Sequence, residues 1–182
     1  YHANGILKEA QQRAAELFGA KETFFLINGS TSGILSAISA AVPRLGTLLM
    51  SRNSHKSAYH AIYLRGLETV YLLPAATEFG ISGSISPAHV AQALDDLPQI
   101  RAVYITSPTY DGVASDIRTI AEIVHAYDLP LIVDEAHGAH FTLCDEFPES
   151  ALECGADLVV QSLHKTLPAL TQTALLHVNS ER

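Results

Sequence analysis

Apolar residues fall into two patterns that alternate along the chain. Short, nearly continuous hydrophobic runs at 23–27, 47–50, 69–73, 101–105, 131–134, 157–161 and 173–178 predict strands. The five runs from 47–50 to 157–161 lack clear polar alternation, so they are expected to be buried on both faces. Between the runs lie segments with apolar residues at helical spacing. One covers 6–18 and stops at Gly19; a small-residue helix at 34–42 ends before Pro43. The clearest helix spans 116–127, where Asp116 is placed to cap and Ile117, Ile120, Ala121 and Val124 form one apolar face. Strands alternating with helices predict an α/β fold with a mostly parallel sheet covered on both sides. Ligands of such sheets bind beyond the carboxyl ends of the strands, where the conspicuous polar residues of this chain fall. No repeat, charge block or low-complexity linker interrupts the alternation, and 82–86 reads as a loop.

Composition narrows the function classes. The 182 residues suit one large domain, and 48% hydrophobic content supplies a packed core. A net charge of −8 counts against nucleic acid or an anionic membrane as a main partner. Cys144 and Cys154 are too few for a disulfide framework and read as reduced, cytoplasmic thiols. No apolar run approaches the roughly 18 residues of a membrane span, and no signal peptide is visible. The chain opens at Tyr1 and stops at Arg182 just after an apolar run, so it is expected to be a piece of a longer protein.

The candidate chemistry sits at strand ends. After 23–27 comes the turn NGSTSG at 28–33, whose glycines allow close backbone approach. Ser30, Thr31 and Ser32 there offer hydroxyls and N–H groups to a phosphate at the start of the next helix. An ordinary capped turn is the plain alternative, and no Gly-Lys-Ser/Thr makes it a nucleotide-triphosphate loop. The run 131–133 delivers Asp134 at its end. Asp-Glu-Ala-His also spells a helicase magnesium box, but such a box requires an upstream phosphate loop with its lysine, which is missing here. The pairs His137/His140 and His55/His60 lack the cysteines or acids that would complete a metal site, so no metal is assigned. His55 lies in a strand-end loop where a flat imidazole can stack on a flat ring. Lys165 follows the run 157–161, beside His164 and ahead of an uncharged stretch. It is expected to be buried, which would depress its amine pKa and favour imine formation. A lysine and an aspartate at the ends of two buried strands suit pyridoxal phosphate: the amine forms a Schiff base with its aldehyde, and the acid keeps its ring nitrogen protonated.

The stretches NGSTSG (28–33), NSHKS (53–57), SPTYDG (107–112), VDEAHGAH (133–140) and QSLHK (161–165) resemble, in the same order and over nearly the whole chain, the bacterial ornithine/lysine/arginine decarboxylases. These enzymes have the aspartate-aminotransferase fold, fold type I of the pyridoxal-phosphate enzymes. The resemblance implies a three-layer αβα domain over 1–182, a seven-stranded sheet and 173–178 as its one antiparallel strand. It also implies a preceding segment and a following small domain outside this chain. It assigns Lys165 to the cofactor aldehyde and Asp134 to the pyridine nitrogen, with His55 and Ala136 on opposite faces of the ring. Ser30, Thr31, Ser162 and His164 would surround the phosphate, and Ser32 and His137 join the cofactor-binding set. Lys165, Asp134 and His55 are the expected catalytic residues, acting on a basic amino acid to give an amine, in a dimer or larger homo-oligomer. Aminotransferase or carbon–sulfur lyase chemistry on the same fold is the nearest alternative, and a module without catalysis the next.

Overall fold

The computed structural model describes residues 3–180. In chain order its elements are α1 (Gly5–Phe18), β1 (Glu22–Leu26), α2 (Gly29–Ala41), β2 (Thr47–Ser51), α3 (Lys56–Arg65), β3 (Glu68–Leu72) and α4 (Pro87–Asp96). They continue with β4 (Ile100–Thr106), α5 (Ile117–Ala126), β5 (Leu131–Asp134), a 3-10 turn at Phe141–Leu143, β6 (Leu158–Ser162), the short α6 (Leu163–Thr166) and β7 (Ala174–Val178). All seven expected strands are present within one or two residues of their predicted ends. Asp116 caps α5 by accepting the Thr119 N–H at 3.0 Å, and Gly19 ends α1 in the left-handed conformation at φ 72°.

The strands form one sheet in the order β1-β7-β6-β5-β4-β2-β3. Strand β7 runs antiparallel to both β1 and β6; the other neighbouring pairs are parallel. Two apolar layers sandwich the sheet. Leu49, Val103, Ile105, Val133 and Val159 pack with Phe18 of α1, Val90 of α4 and Ile120 and Val124 of α5. On the other face Leu48, Met50, Tyr104, Ile132 and Val160 pack with Ile34 and Ile38 of α2 and Ala58 of α3. Each large aliphatic side chain so buried contributes about 1.5–3 kcal/mol. No helix among the described residues is long and apolar enough to cross a membrane.

Two expectations are corrected. The run at 69–73 is not buried on both faces: β3 is a sheet edge, with no strand beyond it among the described residues, and Tyr71 and Leu73 are exposed. The stretch 28–33 is not a turn preceding the helix; α2 already begins at Gly29. Gly, Ser and Thr are weak helix formers, but tertiary packing overrides them. Gly33 lies so close to the sheet that a Cβ would stand 2.6 Å from Leu26 Cδ1 and 3.0 Å from Val160 Cγ1. Gly29, at φ 67°, turns the chain directly out of β1 into the helix.

Candidate active site

Residue alternation along β4 and β5 puts Tyr104, Ile132 and Asp134 on the α2/α3 face of the sheet. Asp134 closes β5 and is 3% exposed. The Tyr104 hydroxyl donates to its Oδ2 at 3.1 Å, and the Ala136 N–H donates to Oδ1 at 3.2 Å. Burial pushes the Asp134 carboxyl above the usual carboxylate range; these two donors, with the charge of Lys165, offset only part of that cost. Burial, then the facing Asp134 charge, raises the Tyr104 phenol well above its ordinary value, so it stays a donor. Both hydrogen-bond donors to Asp134 are neutral groups.

Lys165 lies on α6, three residues beyond β6. Contrary to expectation it is exposed, because the chain leaves the sheet after Ser162 and carries the side chain out to the rim. Its Nζ is 3.1 Å from His137 Nε2, on the loop that follows β5. The edge of the Tyr110 ring meets His137 with centroids 5.5 Å apart. Burial, then the charge of Lys165, hold His137 below the ordinary histidine pKa, so near neutral pH it is an uncharged acceptor for the lysine. His140 instead packs against Phe141 and Phe147.

The amino ends of α2 and α3 form another side of the rim. His55 caps α3, its Nδ1 accepting the Ser57 N–H at 3.2 Å and lying 2.7 Å from Ser57 Oγ. Desolvation lowers its pKa, so the neutral ring carries its proton on Nε2. Thr31 Oγ1 stands 2.9 Å from Ser57 Oγ, which links the two helix ends. Ser30 and Thr31 occupy the first turn of α2, where backbone N–H groups have no intrahelical partner and Asn28 makes no side-chain cap. Ser32 is turned back, its hydroxyl donating to the Gly29 carbonyl at 2.9 Å. Ser162, at the end of β6, is fully buried with Oγ lacking a hydrogen-bond partner among the described residues. His164 Nδ1 is 3.2 Å from the Thr173 carbonyl, which fixes the ring beside β7.

The fold thus gathers residues 30–31, 55, 134–137 and 162–165 at the carboxyl ends of the parallel strands. Two clefts, of about 370 Å³ beside α1 and about 460 Å³ beside Ile27 and Leu170, include neither Asp134 nor Lys165. Sequence reasoning missed Tyr104 and Ser57. The register that sets Thr106 opposite Asp134 places Tyr104 on the face of the acid, but a reader of the chain alone has no strand order from which to find it.

Comparison with known proteins follows this geometry. The family model described as Orn/Lys/Arg decarboxylase, major domain, matches residues 1–182. The uncharacterized protein YaaO of Bacillus subtilis is 46% identical over 99% of this chain and 38% of its own length. An arginine decarboxylase of Bacillus subtilis is 39% identical over 96% of this chain and 36% of its own. The chain therefore spans little more than a third of these relatives. The solved structure of lysine decarboxylase A from Pseudomonas aeruginosa superposes with a TM-score of 0.85 at 30% identity, covering 97% of this chain and 26% of that one.

Proposed function

The chain belongs to the Orn/Lys/Arg decarboxylase family, and from that premise we propose that the protein removes the α-carboxylate of a basic amino acid, using pyridoxal phosphate. One observation carries the proposal: among the described residues Asp134 is a buried carboxylate hydrogen-bonded only by neutral donors, with the Lys165–His137 pair at the ends of its own strand and the next. A cationic ring nitrogen is the partner such an acid lacks. The buried, unpartnered Ser162 Oγ and the open first turn of α2 fit a phosphate in the same way. The residues present therefore suit the cofactor.

Asp134 would hold the ring nitrogen and Lys165 the aldehyde carbon. His55 and Ala136 would flank the ring, His137 would lie by the lysine, and Ser30, Thr31, Ser32, Ser162 and His164 would serve the phosphate. When bound, the cofactor supplies an electron-withdrawing ring that stabilises the charge left on the α-carbon as carbon dioxide departs. Tyr104 and the Ala136 N–H fix the orientation of the Asp134 carboxylate, which would face that nitrogen. His137 takes the hydrogen bond of the lysine amine and holds Nζ over the strand ends. In the net reaction the bond between α-carbon and carboxylate breaks, carbon dioxide leaves, and a proton takes its place. The proposal extends to a cytoplasmic homodimer or larger homo-oligomer, with residues 1–182 as the cofactor-binding domain of a longer chain.

The test is to incubate the full-length protein and cofactor with arginine, lysine and ornithine, measuring released carbon dioxide and amine. Arginine comes first, since the relative at 39% identity is named for it. One of the three should yield equimolar carbon dioxide and amine. Keto acid without carbon dioxide would move the assignment to an aminotransferase.

A further inference from the structure

Glu135 follows Asp134 by one residue but faces the other side of the sheet, toward Ala151 and Gln161. Its Oε1 accepts the Ala151 N–H at 2.7 Å and its Oε2 accepts from Gln161 Nε2 at 2.7 Å. When ionised, Glu135 only accepts, so Gln161 then turns its amide nitrogen to Glu135 and its Oε1 to His177 Nε2, 3.1 Å away. His177 therefore carries its proton on Nε2, and its Nδ1 accepts the Thr23 hydroxyl at 2.8 Å. The result is a hydrogen-bond chain with one direction, Thr23 to His177 to Gln161 to Glu135, crossing β1, β7, β6 and the end of β5. All four side chains are buried, and Phe18 of α1 closes over the His177 ring with centroids 5.1 Å apart. Burial lowers His177 to about 4, leaving it neutral. Burial also raises Glu135 to about 7, with the nearby Glu153 and Asp134 carboxylates adding to the rise.

The chain has a consequence on the opposite face. Side chains alternate along a strand, so Glu135 is backed by Asp134 and Gln161 by Ser162, the two buried groups of the candidate site. We propose that Glu135 and Gln161 are positioning residues. Their hydrogen bond behind the sheet fixes the carboxyl ends of β5 and β6 against each other, and so sets the separation of Asp134 from Ser162. The role rests on the assignment of Asp134 and Ser162 to a pyridoxal phosphate site. A buried network of this kind has few alternative arrangements, because each unsatisfied member is costly.

The test is a charge exchange in the full-length protein, read by absorbance titration with pyridoxal phosphate at pH 8 and by thermal unfolding of the unloaded protein. Gln161→Glu sets two carboxylates face to face and should weaken cofactor binding about tenfold or more. The double variant E135Q/Q161E again offers one amide donor and one carboxylate acceptor, and still serves the Ala151 N–H and the His177 Nε2–H. It should return affinity to within about threefold of wild type. The proposal is overturned if the double variant binds as weakly as Q161E. It is equally overturned if Q161E lowers only the unfolding temperature while the folded protein binds as wild type. Should Q161E fail to fold, Gln161→Met removes the amide without adding charge, and wild-type affinity in that variant overturns the proposal. If wild-type protein takes up no pyridoxal phosphate, the site assignment itself falls, and that result is read before any variant is compared.

Discussion

Lys165 Nζ lies 3.1 Å from His137 Nε2, which ties the helix after β6 to the loop after β5. An exposed lysine ordinarily samples many rotamers, and fixing one costs up to about 2 kcal/mol of side-chain entropy. The His137 acceptor offsets part of that cost and aims the amine along the strand ends instead of into solvent.

Borohydride reduction of the cofactor-loaded full-length protein should therefore fix the label on Lys165. His137→Leu should slow labelling about tenfold, as the loss of one hydrogen bond of about 1.4 kcal/mol would. The sign of the pH dependence follows from the lowered His137 pKa. The neutral acceptor persists above the ordinary histidine value of 6.5, and the wild-type labelling rate should fall only once the pH drops below it. Peptide mapping that finds the label on another lysine would remove Lys165 from its role.

Tyr104→Phe deletes one of the two donors to Asp134 without changing core shape. A hydrogen bond to a charged group contributes about 1.5–3 kcal/mol, so cofactor affinity or turnover should drop roughly ten- to a hundredfold while the fold persists. Asp134→Asn should cut turnover more severely, because a neutral amide cannot keep a ring nitrogen protonated. Circular dichroism and cofactor titration separate these effects from misfolding; turnover by D134N at the wild-type rate would assign the acid to structure alone.

Asp157 stands at the opposite, amino end of β6. It accepts the Leu131 N–H at 2.8 Å, His125 Nε2 is 2.9 Å from Oδ2, and the Ser180 hydroxyl bonds to Oδ1. Burial alone would raise its pKa, but these donors outweigh burial and hold it below the ordinary 3.8. A depressed carboxylate contributes stability above the unfolded value and loses it as pH falls through the folded one. Asp157→Asn should thus cost about 1–3 kcal/mol near pH 7, with the gap to wild type closing below pH 3.8. Denaturant unfolding at several pH values measures this, and a gap constant with pH would show that the charge is irrelevant.

Gly33→Val should destabilise by about 1–3 kcal/mol, the usual cost of overpacking. The new side chain has nowhere to go between Leu26 and Val160. Urea unfolding reads the stability loss. Because α2 would be pushed off the sheet, cofactor titration should also show weaker binding, through displaced Ser30 and Thr31.

Much of this molecule was legible beforehand because strand-forming runs and strand-end polar residues are local signals. The strand from Leu131 to Asp134 and the capping of α5 by Asp116 needed only neighbours in sequence. The start of α2 did not, since its small residues gain their helix from contact with Leu26 and Val160. Lys165 was misjudged for a related reason. An apolar run before a residue predicts burial of the run, but the chain turns out of the sheet after Ser162 and takes the lysine with it. Tyr104 could be matched to Asp134 only once β4 and β5 were known to be neighbours.

Among the described residues strand β1 has a single neighbour in the sheet, and that neighbour is β7, with Glu22 opposite Val178. A chain leaving the ribosome can pair β2 with β3 early, since Thr47 meets Glu68. By contrast, β1 must wait for the last strand to be synthesised. Long-range pairing of this kind is slow because the loop must close before any contact rewards it. Phe24 and Phe25 have no strand partner until Leu175 and Leu176 emerge. The sheet is therefore completed at its β1–β7 side, and a strand made before β2 and β3 is held only after them.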